Sequence, residues 1–219
     1  MPSVLLLRRW RPSLRRAQDV LSQMPDWQLL GCGDSVREAP GQLLALRPDL
    51  VACDLQLFDG TAGQLAFQMQ QWPQRPQLLL LAPHVDDLHL FDALRAGASG
   101  YCVDAQGSQS LRSSLEQLGD GRAPMSPRIA QQLLTAFALP RTSLVEAEDV
   151  AGGQDLTPLS NRLGRGLFRN EHHLLSLLSH GWLSAEIGQR WRIGQSNVER
   201  RVWRLYTKLH LLYRQPELA

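Results

Sequence analysis

The chain has 219 residues, a formal net charge of +2 and 43% hydrophobic residues, which suits two modest domains with real cores. No apolar run approaches the ~20 residues a membrane span needs, and the apolar stretch in "MPSVLLLRRWRP" is too short for a signal peptide, so a cytoplasmic protein is expected. The three cysteines, Cys32, Cys53 and Cys102, are odd in number and lack CxxC spacing. Neither a disulfide framework nor a zinc site is therefore indicated, and buried free thiols are expected.

In chain order, the first 120 residues alternate. Short apolar runs at 4–7, 27–32, 50–53, 78–82 and 101–103 predict strands. Between and after them, residues 13–24, 41–46, 61–71, 86–96 and 108–118 predict helices; in the first, Leu14, Ala17, Val20, Leu21 and Met24 share one face. Five strands alternating with five helices predict a parallel sheet covered on both sides. Residues 123–156 are expected to be a linker: "RAPMSPRIAQQLL", residues 122–134, can start a helix with Pro127 in the first turn, and "ALPRTSLVEAEDVAGGQD" after it is acidic and has no periodicity. Three more helices follow. One spans about 170–179 and is closed by Gly181. A second spans 184–191, with Ser184 as N-cap and Glu186 in its first turn. A third spans about 195–209, with Val198, Val202, Leu205 and Leu209 on one face. Two short helices joined by "RWRIGQ" have the shape of a helix-turn-helix. The extra "LTPLSNRLGRG" before residue 167 is expected to form a short helix capped by Thr157 with Pro158 behind it.

Charge separates the two halves. Residues 1–125 hold 11 Arg against 13 acids, whereas 156–219 hold 10 Arg+Lys against 4 Glu. The basic C-terminal part points to nucleic acid, although a solvated charged face has the same composition. The single lysine of the chain is Lys208.

"DLVACDLQLFDG", residues 49–60, is an apolar strand ending on Asp54. Open α/β folds keep their chemistry at that carboxyl edge. A carboxylate there is a nucleophile, a metal ligand or half of a structural ion pair.

Both halves resemble one family, the response regulators of the NarL/LuxR (FixJ) type. The receiver likeness covers about residues 3–120. It rests on "PDLVACDLQLFDG" and "LLLLAPHVDDLHLFDALRAGASGYCVDA". The second likeness covers about 167–214. It rests on "LFRNEHHLLSLLSHGWLSAEIGQRWRIGQSNVERRVWRLYTKL". The resemblance implies a flavodoxin-like (βα)5 receiver at 1–122, the linker at 123–156, and a small all-α LuxR-type helix-turn-helix domain at 157–219.

The departures carry the information. In the family, two acids after the first strand hold Mg²⁺, and a strand-three Asp accepts a phosphoryl group. A Ser/Thr after strand four and a Lys after strand five then bind that group. Asp54 matches the acceptor. The acidic pair falls at Arg8 and Arg9, or at Arg9 and Trp10, and no Asp or Glu precedes Asp19. The Ser/Thr position is Ala82 and the Lys position is Asp104. Mg²⁺ needs carboxylate oxygens, and phosphoryl transfer depends on cations and donors around the phosphoryl oxygens. Asp54 is therefore expected to be a vestigial acceptor paired with Arg8 or Arg9; the competing reading has the arginines in solvent and Asp54 capping a loop. Tyr101 falls at the family's aromatic switch position, where a half-buried structural role is expected.

In the third C-terminal helix the DNA-binding residues implied are Ser196, Asn197, Glu199, Arg200, Arg201, Trp203, Arg204 and Lys208, with Ser196, Glu199, Arg200, Trp203, Arg204 and Thr207 on the outer face. Arginines there can take guanine edges or hold phosphates. Glu199 stands where the family has a groove lysine. Trp203 either touches DNA or packs on a neighbouring helix. Pro216 ends the helix the family uses for pairing, so pairing would fall to the receiver. The expected protein is a transcription regulator and not an enzyme. Its expected partners are promoter DNA, a second copy joined through the receiver, and a regulatory protein. No metal, cofactor or membrane is expected. The alternative is an interaction adaptor that binds no DNA.

Overall fold

The computed structural model describes residues 1–70, 72, 75–84, 88–103, 108–138 and 167–213. Asp104, Thr157, Pro158 and Pro216 lie outside the described residues, and so does the expected short helix before residue 167.

The N-terminal half contains β1 (Ser3–Leu7), α1 (Arg11–Ser22), β2 (Gln28–Gly33), α2 (Ala39–Leu46), β3 (Leu50–Asp54), α3 (Ala62–Met69), β4 (Gln77–Ala82), α4 (Leu88–Arg95), β5 (Gly100–Val103) and α5 (Ser108–Gly119). The sheet is parallel, in the order β2-β1-β3-β4-β5. Side chains alternate across it. Val4 and Leu6 face α1 and α5, with Leu50, Ala52, Leu79 and Leu81 beside them. Leu5 and Leu7 face α2, α3 and α4, with Val51, Cys53, Leu78 and Leu80. Helices on both faces explain why the central strands are apolar at nearly every position. Thr61 caps α3 and exchanges hydrogen bonds with Gln64 in a capping box.

Among the described residues four helices follow: α6 (Pro127–Ala138), α7 (Arg169–Ser179), α8 (Ser184–Trp191) and α9 (Gln195–Tyr213). The helix expected to start in "RAPMSPRIAQQLL" is α6, with Pro127 as its first residue. Ile129, Ala130 and Leu133 of α6 are buried, and α6 packs against α7. Ser184 is not the N-cap of α8. Leu183 takes that place, and the Glu186 carboxylate accepts from its backbone N–H. Gly181 closes α7 with φ of +88°, a conformation that costs glycine nothing. Gly188 lets α8 approach the turn before α9, since a Cβ there would lie 2.8 Å from the Ile193 carbonyl.

The second core, built by Leu174, Leu175, Leu178, Ile187, Val198, Val202, Leu205 and Leu209, is continuous with the face of the sheet that carries Leu5 and Leu7. The two halves therefore share one apolar interior. No helix among the described residues is long and apolar enough to cross a membrane.

Candidate functional site

The strand register builds the first site. Leu7 of β1 pairs with Cys53 of β3, so the next residues, Arg8 and Asp54, leave the sheet edge side by side. Arg8 Nε donates to Asp54 Oδ1 at 3.0 Å, and Nη2 lies 2.9 Å from the same oxygen. The backbone N–H of Arg9 donates to Oδ2 at 2.9 Å. Arg8 Nη1 also donates to the Ser13 carbonyl at 3.3 Å. Only 4% of the Arg8 side chain and 13% of Asp54 are exposed, so solvent screens this pair little. The neighbouring Cys53 thiol is pushed far up, first by burial and then by the Asp54 charge. It is an inert core thiol.

Arg9 behaves differently. Its guanidinium lies 5.6 Å from the Trp10 ring centre and 5.5 Å from that of Phe58. Its Nε is buried without a hydrogen-bond partner among the described residues. A cleft of about 310 Å³ opens here, bounded by Arg8, Arg9, Trp10, Gln56 and Pro83. Ala82 is fully buried and offers no hydroxyl. Among the described residues, no group of three or more His, Cys, Asp or Glu could hold a metal ion.

Tyr101 is buried rather than half-buried, at 4% exposure. Burial raises its phenol pKa, with hydrogen bonding to Ser126 opposing. It points toward the segment that leads into α6 and toward Tyr206 of α9, whose own hydroxyl donates to the Pro124 carbonyl at 2.9 Å.

The second site is α9, and here the expected outer face needs correction. Glu199 is 5% exposed. Its carboxylate takes Arg122 Nη1 at 3.1 Å and Gln195 Nε2 at 2.7 Å, and its backbone carbonyl accepts from Ala123 N at 3.2 Å. Trp203 is half-buried against both cores. His210 Nε2 donates to the Ala98 carbonyl at 2.9 Å. Residues 199, 203, 206 and 210 recur at helical spacing, so α9 carries a second stripe that docks on the receiver-like half. Lys208 is also not on a free face: it pairs with Glu171 of α7 and lies 4.1 Å from the Phe168 ring centre. Arg201 stacks over Trp191 at 5.5 Å. Ser196, Asn197, Arg200 and Arg204 are exposed. The docking residues Arg122, Pro124 and Ala98 were missed by sequence reasoning. The available signal was Glu199, Tyr206 and His210 at helical spacing on a helix whose other stripe already fills a core.

No family model matches the chain. It is 31% identical over 191 residues to the DNA-binding transcriptional activator DevR/DosR of Mycobacterium tuberculosis, covering 87% of this chain and 80% of that protein. It is 24% identical to the oxygen regulatory protein NreC of Staphylococcus carnosus, covering 91% and 87%. Among solved structures it is similar to a LuxR-family two-component response regulator from Aurantimonas, with 25% identity, a TM-score of 0.53 and coverage of 59% and 92%. RcsB of Salmonella enterica serovar Typhimurium bound to promoter DNA shares the fold across both halves, with 15% identity, a TM-score of 0.52 and coverage of 95% and 92%. An activator relative at this identity over most of its length, together with a receiver sheet followed by α7–α9, places the chain in the NarL/LuxR family of response regulators.

Proposed function

We infer that the protein is a DNA-binding transcription regulator that works without aspartyl phosphorylation. The observation that carries this reading is the Arg8–Asp54 pair. A guanidinium stands where Mg²⁺ would need carboxylates, and it already occupies the carboxylate that would attack phosphorus. A nucleophile held in an ion pair, without a metal or a lysine to stabilise the transferred group, has no route to the transition state. The receiver half then serves as a dimerisation or partner-binding module.

DNA would be met by α9 through Ser196, Asn197, Arg200 and Arg204, which are exposed. The Glu199 stripe faces the other half, so full insertion of α9 into a major groove requires the two halves to separate. The adaptor reading draws support from that same stripe, because Glu199 contacts protein and repels phosphate.

Salt-dependent binding to a promoter fragment separates these readings. A regulator loses affinity steeply with salt, because displaced counterions drive binding, and acetyl phosphate leaves the isotherm unchanged. An adaptor binds no duplex at any salt.

A further inference from the structure

The cleft beside Asp54 has lost its phosphoryl chemistry yet remains open, and we propose that it binds a small organic monoanion, a carboxylate carried on a flat apolar body. This deepens the reading above and rests on it. Among the described residues three charged groups line the cleft: Arg8, Arg9 and Asp54. Asp54 is satisfied on both oxygens by Arg8 and by the backbone of Arg9. The guanidinium of Arg9 lies against two aromatic rings, and its Nε lacks a hydrogen-bond partner among the described residues. Among the described residues Arg9 has no ion-pair partner, and one carboxylate would answer its guanidinium through charge-assisted hydrogen bonds. A phosphate dianion would bring a second negative charge against the Asp54 carboxylate that lines the cleft.

The walls set the rest of the ligand. Trp10, which lines the cleft, is 63% exposed, and Phe58, 65% exposed, lies on the Arg9 guanidinium outside the lining. Leu55 and Leu81 are buried in the floor, and Pro83 closes one side. A flat ring entering between Trp10 and Pro83 would cover this apolar surface and desolvate the cation–π contacts, which strengthens them. The cleft volume of about 310 Å³ sits at the small end of ligand pockets. That suits a single-ring or two-ring acid.

The test is titration calorimetry on the full chain at fixed ionic strength, with benzoate, indole-3-acetate, hexanoate and inorganic phosphate as probes. The aromatic carboxylates should bind saturably below about 10 mM, and phosphate should not. Arg9→Gln should weaken them about tenfold or more, while Arg200→Ala should leave them unchanged. No saturable binding by any carboxylate, equal binding by Arg9→Gln, or tighter binding of phosphate each overturns the proposal. If Arg9→Gln does not fold, the Arg9 Nε–H and Trp10 indole resonances of the wild type decide: both must shift with benzoate. A phosphate adduct on Asp54 would remove the underlying reading. Absence of both adduct and carboxylate binding would remove only the ligand site.

Discussion

Arg8 and Asp54 stand at the ends of neighbouring parallel strands, and two guanidinium nitrogens reach one carboxylate oxygen at 3.0 and 2.9 Å. The pair is nearly buried, so removing one partner strands the other. Asp54→Asn and Arg8→Ala should each destabilise the protein by about 3 kcal/mol and lower the thermal midpoint by several degrees. In a receiver with clustered acids the same Asp54 change would relieve repulsion. An unchanged or raised midpoint would count against the pair.

The exposed arginines of α9 and its lysine should separate by phenotype. Arg200→Ala and Arg204→Ala should each weaken DNA binding by about 1–3 kcal/mol if they contact bases, or flatten the salt slope by about one unit if they contact phosphates. Lys208→Ala should instead lower stability, because Lys208 is held by Glu171 and Phe168. Its folded fraction should bind DNA as the wild type does. Melting curves and salt-dependent isotherms on the three variants check this.

The contact between the halves should oppose DNA binding. Glu199→Gln keeps the side-chain shape but loses the charge that meets Arg122. It should enlarge the radius of gyration in small-angle scattering and raise DNA affinity, since it also removes a negative charge from the helix. Arg122→Ala separates the two effects, because it loosens the contact without altering α9. Unchanged scattering in both variants would show that Glu199 does not hold the halves together.

His210 adds a pH dependence whose sign is fixed. Burial, with repulsion from Arg75 behind it, lowers its pKa from the usual 6.5 to about 4. The unfolded or undocked state therefore binds the proton first. Stability of the docked arrangement is complete above about pH 6.5 and falls as pH drops toward 4, by on the order of 3 kcal/mol. His210→Gln should flatten that loss. Melting midpoints of both proteins between pH 4 and 7 test it.

The sheet and most helices were legible because alternation and helical spacing are local signals. The two faces of β1, Val4 with Leu6 and Leu5 with Leu7, follow a period of two. Val198, Val202, Leu205 and Leu209 follow the helical period. The replaced pocket was legible too, since Arg8, Arg9 and Ala82 are single positions beside an identifiable Asp54. Choosing Arg8 over Arg9 required the β1–β3 register, which no local pattern contains. The fate of Glu199 was not legible, because its partners Arg122 and Ala123 are more than seventy residues away. A charged residue on a helix reads as solvent-facing, and tertiary contact overrode that prior. The start of α6 at Pro127 was legible from a proline in a first turn, but its packing against α7, which buries Ile129 and Leu133, was not.

The central claim is that Asp54 is a structural anion and not a phosphoacceptor. Intact-mass measurement after treatment with acetyl phosphate and Mg²⁺ tests it most directly. The account predicts an unmodified chain, whereas a stoichiometric phosphate adduct mapped to Asp54 would contradict it.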